Sequence, residues 1–299
     1  MTWTQLKTFH AVALRQSFTR AAEALHTSQP AVSAQIQGLE KYYGVKLFAR
    51  LGKKVALTEA GEILFSYAER ILNLTDEAKQ AIDELKGLKR GKLKIGASFL
   101  VGVYIMPQIL GRFKTRYPDI EVALQMRQAQ EVVKMVLTNA VDLGIVGAPV
   151  EDPRLMVKPL LSDELLAIVP ADHPWAEREA VRPEELERQP FVLSEQGSAT
   201  RKIVEEQLGQ VGVNPEVVME LGNIEAVKKA VEAGLGISIM SRCAASGEVE
   251  AGRLRFLRVL EVNLRRDVNI VYHKDKHFSN TLGAFWDFLA EQPGVETVT

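Results

Sequence analysis

The chain has 299 residues, 46% of them hydrophobic and 25% charged, with 37 Lys or Arg against 38 Asp or Glu and a formal net charge of −1. That length allows two or more domains, and no apolar run approaches the ~18 residues a membrane helix needs. Cys243 is the one cysteine, which excludes an internal disulfide, a thiolate metal cluster and sensing by a cysteine pair; it reads as a packed small residue, with single-cysteine oxidation left open.

Residues 2–10 read as an amphipathic helix with Leu6 and Phe9 on its apolar side, continued by Ala13, so nothing there resembles a signal peptide. Ser17 is a helix N-cap, and Phe18, Ala21, Ala22 and Leu25 follow it at the i, i+3, i+4, i+7 spacing of one apolar face. After a turn at His26 and Thr27, Ser28 caps the next helix, with Pro30 in the first turn, where its missing N–H costs nothing. Val32, Ile36 and Leu39 supply the buried side of that helix, which leaves Gln29, Ser33 and Gln37 opposite, with Pro30 and Ala34 between them. Gln can bond adenine N6 and N7 together, Ser can donate or accept, and Pro or Ala can touch a thymine methyl.

Two short apolar runs around Gly52, with Arg50, Lys53 and Lys54 at the tip, read as a β-wing that lays cations on a phosphate backbone. The expectation is a winged helix-turn-helix over residues 1–58; the alternative is a helical hairpin whose polar stripe merely faces water. Residues 1–58 hold eight Lys or Arg against Glu23 and Glu40, a balance of +6, so the rest of the chain carries about −7. A cationic head on an acidic body keeps attraction to phosphate local.

The pattern Leu6, Phe9, Ser17, Phe18, Ala21, Ala22, Leu25, Ser28, Gln29, Pro30, Ala31, Val32, Ser33, Ile36, Leu39, Glu40, Leu47, Phe48, Arg50, Leu57, Thr58, Gly61 closely resembles the N-terminal signature of LysR-type transcriptional regulators. The resemblance implies an N-terminal winged helix, a long linker helix and a ligand-sensing α/β domain with a periplasmic-binding-protein-like fold. It also implies a double-stranded DNA operator, a homodimer through the linker helix within a homotetramer, and contact with RNA polymerase. Residues 51–55 and 222–241 look most like family branches concerned with carbon fixation or with sulfur and cysteine metabolism.

Residues 59–90 read as that linker and a hinge. Thr58 caps the helix, Glu59 and Glu62 suit its positive end, and Ala60, Leu64, Tyr67, Ile71, Leu74, Ala78, Ala81, Leu85 and Leu88 alternate steps of four and three. Such a helix over 59–88 would be roughly 45 Å long, more than one short domain covers. A partner helix from a second copy is the economical explanation; packing on its own chain is the other.

From Lys92 onward, short β-branched runs alternate with amphipathic helices, the pattern of an α/β domain with a largely parallel sheet. Strands are expected at 92–96, 121–125, 142–146, 155–161, 165–169, 191–193, 217–221, 237–241 and 268–272, and helices at 101–117, 131–138, 201–211, 224–233 and 280–291. Two linked sheets with a cleft fit this count: subdomain I of 91–161 and 267–299, and subdomain II of 162–266. The return of the last strand and helix to subdomain I is implied by the resemblance.

Ligands of open α/β sheets sit beyond strand ends near helix N-termini, which points to Ser98, to Ser198 with Thr200, and to Asn223. As plain N-caps each would contribute only ~1 kcal/mol. The resemblance carries ligand roles onto Ser98 and Thr200, and onto Arg127, Gln128, Ser198 and Asn223; Phe99 and Arg201 complete the candidate set. Oriented N–H groups, hydroxyls and Arg127 or Arg201 favour a small anion: a carboxylate, a sulfur oxyanion or a phosphorylated metabolite.

Enzyme motifs fail on inspection. Residues 91–98 have the outer glycines of a P-loop but Ala97 where the phosphate-binding lysine belongs, and they precede a strand rather than follow one. Gly234 and Gly236 lack the third glycine of a dinucleotide site, with Ile239 in its place. His10, His26, His173, His273 and His277 form no metal-ligand spacing, and the last two read as a surface loop. The expectation is therefore a cytoplasmic, non-enzymatic regulator without cofactor, metal or membrane contact. The rival is a solute-binding or metabolic enzyme domain with an appended helical head.

Overall fold

The structure, a computed structural model, describes residues 1–51, 54–85 and 91–291. Three helices open it: α1 (Trp3–Arg15), α2 (Phe18–Ala24) and α3 (Gln29–Tyr43). Thr2 and Gln5 cap α1 reciprocally, Ser17 accepts from the Arg20 N–H, and Ser28 accepts from the Ala31 N–H, so all three starts are written in local side chains. The tight turn between α2 and α3 places His26 at φ 51°, and Gly44 at φ 72° ends α3 where an L side chain would be strained.

Leu6, Phe9, Val12, Ala21, Val32, Ile36 and Leu39 close one core, and enclosing a side chain such as Leu39 stabilises by about 1.5–3 kcal/mol. Strands β1 (Phe48–Leu51) and β2 (Lys54–Leu57) pair antiparallel, Phe48 opposite Leu57. The Phe48 ring lies 5.3 Å from Phe9 and 5.7 Å from Phe18, which ties this hairpin to the helices. Helix α4 (Glu59–Leu85) follows, capped by the Thr58 hydroxyl on the Gly61 N–H at 3.1 Å. Any side chain at Gly61 would begin 2.1 Å from the Leu47 carbonyl oxygen, so glycine lets the helix start against the head.

The remaining elements are β3 (Lys92–Ser98), a π-helical turn (Val101–Ile105), α5 (Met106–Arg116), β4 (Glu121–Arg127), α6 (Ala129–Leu137), β5 (Leu143–Val146), β6 (Leu155–Pro170), β7 (Ala180–Val181) and α7 (Pro183–Leu186). Then come β8 (Pro190–Ser194), α8 (Ala199–Gln210), β9 (Glu216–Leu221), α9 (Ile224–Glu232), β10 (Ser238–Ser241), α10 (Arg242–Glu250), β11 (Leu254–Val259), β12 (Arg265–His273) and α11 (Asn280–Ala290). The main sheet runs β4-β3-β5-β12-β6-β11-β7 with β10 also on β6, and β8 pairs with β9 beside it.

Strand β6 belongs to both lobes, and β12 pairs along it as far as Glu164. Leu160, Val268 and Ile270 sit in one core with Leu93, Ile145, Phe113 and Phe285, whereas Leu165, Ala167 and Val169 sit in another with Phe191, Val204 and Leu208. The two strands expected at 155–161 and 165–169 are thus one strand of 16 residues. Its polar middle changes which lobe the strand serves without ending its pairing, since Ser162 and Asp163 stay in register with Asp267 and Arg266. The helix expected from 101 begins instead as the π-helical turn, and β11 and α10 had no counterpart in the sequence reading: Arg255 and Arg258 interrupt the first, and small residues blur the second.

Helix α4 has two occupied sides and one open one. Leu64 and Ala68 are buried in the head core, so Leu64 is not part of an open seam, while Tyr67, Ile71, Leu74 and Ile82 are exposed. The polar side is fastened to the chain's own α/β unit. Asn73 donates to the Thr138 carbonyl at 2.8 Å and Gln80 to the Lys92 carbonyl at 2.9 Å. Lys276, only 4% exposed, lies 3.2 Å from Glu77 of α4 and 2.9 Å from Asp142. Leu88 lies outside the described residues. Among the described residues no helix is long and apolar enough to cross a membrane.

Candidate DNA-reading surface and effector cleft

Ser28, Gln29, Pro30 and Gln37 stand exposed on α3, and Ser33 is half-buried between them. None of the five is in the head core, whose contribution from α3 is Val32, Ile36 and Leu39. The Gln29 side-chain amide donates to the Ser33 hydroxyl at 2.9 Å, one helical turn away. Any partner that Gln29 meets would compete only with an exposed intrahelical bond, a small loss. Arg50 opposes Val55 across the hairpin, and Lys54 opposes Leu51, which places both backbone positions on a hairpin that packs on α1 and α4. Lys53 lies outside the described residues.

In the α/β unit, Ser98 ends β3, its hydroxyl accepts from the Gly147 N–H at 3.4 Å, and Phe99 beside it is exposed. Arg127 is opposite Ser98 in the parallel β3–β4 register, and Gln128 follows as the cap of α6. These four therefore gather where two strands end. Arg127 is exposed, and among the described residues its guanidinium donates only to the neighbouring Met126 carbonyl, at 2.7 Å.

From the other lobe, Ser198 and buried Thr200 open α8. The Ser198 hydroxyl makes no cap bond, whereas Asn223 accepts from the Ala226 N–H at 2.7 Å and is the ordinary cap of α9. Arg201 differs most from its expected role. Its Nε donates to Glu205 at 2.7 Å and its Nη1 to Glu220 and the Ser194 carbonyl, so its charge is already committed within subdomain II. Those two carboxylates, Glu205 foremost, hold its proton more firmly still.

Sequence reading missed Arg266. It is 6% exposed, its Nη1 donates to Thr200 Oγ1 at 3.0 Å, and its Nη2 pairs with Asp163, which in turn accepts from the Ser241 hydroxyl at 2.7 Å. Arg266 shares the inward parity of Val268 and Ile270 on β12, as Asp163 does with Leu165 and Ala167 on β6. That alternation was the available signal: two opposite charges at positions where the strand period demands apolar residues.

A second contact between the lobes lies nearby. Tyr104, on the π-helical turn, donates its hydroxyl to Glu225 of α9, and Lys228, 4% exposed, sits 2.8 Å from Glu225 and 3.0 Å from Glu248. Burial first, and the Glu225 carboxylate next, keep the phenol protonated. Cys243 is half-buried 3.0 Å from the Ser241 hydroxyl, and burial pushes its thiol up, away from thiolate reactivity. His273 ends β12 buried rather than lying in a surface loop, and desolvation lowers its pKa. Among the described residues no group of His, Cys, Asp or Glu is arranged to hold a metal ion.

A cationic helix-turn-helix with an exposed polar ridge, joined by a long helix to a two-lobed α/β unit, defines a DNA-binding regulator with a substrate-binding domain. Residues 3–62 match the family profile of bacterial regulatory helix-turn-helix proteins of the lysR family, and residues 86–294 match that of the LysR substrate binding domain. The chain belongs to the LysR family of transcriptional regulators. It is 38% identical over 287 residues to a probable RuBisCO transcriptional regulator of Synechocystis sp., covering 94% of this chain and 83% of the relative. A protein of the same description from Cyanophora paradoxa is 36% identical, over 94% of this chain and 89% of its own. Among solved structures, a full-length OxyR variant from Pseudomonas aeruginosa superposes with a TM-score of 0.78 at 24% identity, covering 100% of this chain and 99% of that one. Full-length CbnR complexed with its target DNA gives 0.73 at 23% identity, covering 97% and 99%. These two likenesses establish the shared fold.

Proposed function

We propose that this regulator reads its operator through Gln29, Ser33 and Gln37 of α3, with Ser28 and Pro30 beside them and Arg50, Lys53 and Lys54 on the flanking phosphates. The observation that carries this reading is the exposed polar ridge of α3, whose opposite side forms the head core. The exposed Tyr67, Ile71, Leu74 and Ile82 side of α4 supports pairing with a second copy, and two such dimers would make a homotetramer on half-sites about one helical turn, ~34 Å, or its multiples apart. A soluble cytoplasmic setting, contact with RNA polymerase and the absence of catalysis complete the reading.

The effector we assign is a small anion held between the Ser98–Arg127–Gln128 edge and the Ser198–Thr200 start of α8. Its arrival biases the two lobes toward one mutual arrangement, which changes how the dimers sit and bend DNA; this requires different affinity for the two states. Of the two family branches the sequence resembles, the relatives' descriptions favour carbon fixation. Footprinting on fragments of the source genome, with and without a panel of phosphorylated carboxylates, tests both halves. The reading expects a protected two-fold site whose extent changes with one compound; no protected site at low salt would overturn it.

A further inference from the structure

We infer that Arg266 is the group that receives the effector's negative charge, and that Asp163 competes with the effector for the same guanidinium. The inference rests on the cleft reading above and deepens it. Thr200, in the first turn of a helix of 12 residues, would by itself be only a polar residue near a helix start. Arg266 adds an independent observation: its side chain is 5% exposed, and its Nε is buried with no hydrogen-bond partner among the described residues. A buried guanidinium N–H without a partner is costly, which marks a place where binding recovers energy.

The position of that guanidinium joins the two lobes. Its Nη1 reaches Thr200 of subdomain II, while a Cβ on Gly147 of subdomain I would lie 3.0 Å from Arg266 Cδ and 3.1 Å from Nε. Gly147 is therefore glycine against the arginine stem, and its own N–H is the one bound to Ser98. Ser98, Gly147, Thr200 and Arg266 thus form one contiguous polar set from both lobes. A planar guanidinium suits carboxylate, phosphate or sulfonate oxygens.

Asp163 sets the terms. It lies opposite Arg266 in the β6–β12 register and neutralises it, so an entering oxyanion displaces or shares with a carboxylate that keeps the Ser241 hydroxyl as its second partner. Displacement leaves Asp163 on Ser241 and ties Arg266 to the ligand, beside the strand both lobes share.

The test is calorimetric titration of the full-length protein with inorganic phosphate and with sulfate at constant ionic strength, chloride serving as the control. Wild-type protein is expected to bind weakly, Arg266→Gln at least tenfold more weakly, and Arg266→Lys in between. Asp163→Asn is expected to bind about tenfold more tightly, which a merely structural pair would not produce. Where Asp163→Asn fails to fold, Ser241→Ala keeps the charge but removes the second partner, and a severalfold weakening is expected. Equal phosphate affinity in wild type and folded Arg266→Gln would overturn the role of Arg266 while leaving an anion cleft standing. No binding of either anion by wild type, Asp163→Asn or Ser241→Ala would overturn the anion reading itself.

Discussion

The head and the cleft present polar groups in opposite ways. On α3 the candidate readers Gln29 and Gln37 are exposed and Ser33 half-buried, all within nine positions of one another on a helix whose other side is core. In the cleft the polar groups come from residues 98, 147, 163, 200, 241 and 266, and the charged pair at its centre is 5% exposed on both sides. The head can meet a large rigid partner without rearranging. On the proposal above, the cleft would exchange buried bonds for a small ligand's, and its response would be a change in how two lobes share one guanidinium.

The strongest test of that contrast is whether the regions fail separately. Leu39→Ala removes a fully enclosed side chain of the head and should cost about 2–5 kcal/mol, abolishing operator shift while the anion-induced thermal shift of the α/β unit persists. Loss of both signals together would mean that the two regions are one cooperative unit. Gln29→Ala and Gln37→Ala should each cost about 1–3 kcal/mol of operator affinity per base contact and relax preference at one base position, measured by selection from randomised duplexes.

In the cleft, Thr200→Val leaves the Arg266 Nη1 without its hydroxyl partner, a loss of about 1–3 kcal/mol. Ligand response should disappear with operator affinity in the absence of ligand unchanged. Lys54→Gln should weaken binding to every duplex alike and lower the salt slope by about 0.9 where one phosphate contact is lost. The smallest effect is a pH dependence of the head. His10 stacks on Phe65 at 5.2 Å, and burial, then Arg15, lower its pKa below the ordinary 6.5. The unfolded chain takes up that proton more readily than the folded one, so the contribution is full above pH 6.5 and is lost as pH falls through the ordinary value toward the folded one. Thermal melts from pH 7.5 to 5 should show this decline flattened in His10→Gln.

The same contrast explains what could be read in advance. Ser17 and Ser28 act on residues three positions away and Pro30 sits in the first helical turn, so the head's helices, turn and exposed ridge follow from neighbouring letters. Ser98, Ser198 and Thr200 were visible as polar residues at strand and helix ends. Arg266 and Asp163 were not, because 103 positions separate them and only the β6–β12 register brings them together. The ion pairs of Arg201 were only half visible, since of its partners Glu205 and Glu220 only the first is a helical neighbour. The unbroken course of β6 was hidden by its polar middle, where the strand passes from one core to the next.

The Lys276 contact gives the linker helix a mechanical meaning. From Glu77, where Lys276 grips it, to Glu59 at the head is a rod of roughly 27 Å. Swinging that lever through about ten degrees carries its far tip roughly 5 Å, more than the ~3.4 Å rise of one base step along a strand. Modest rocking within the sensor would thus be geared up into a change of footing on the double helix.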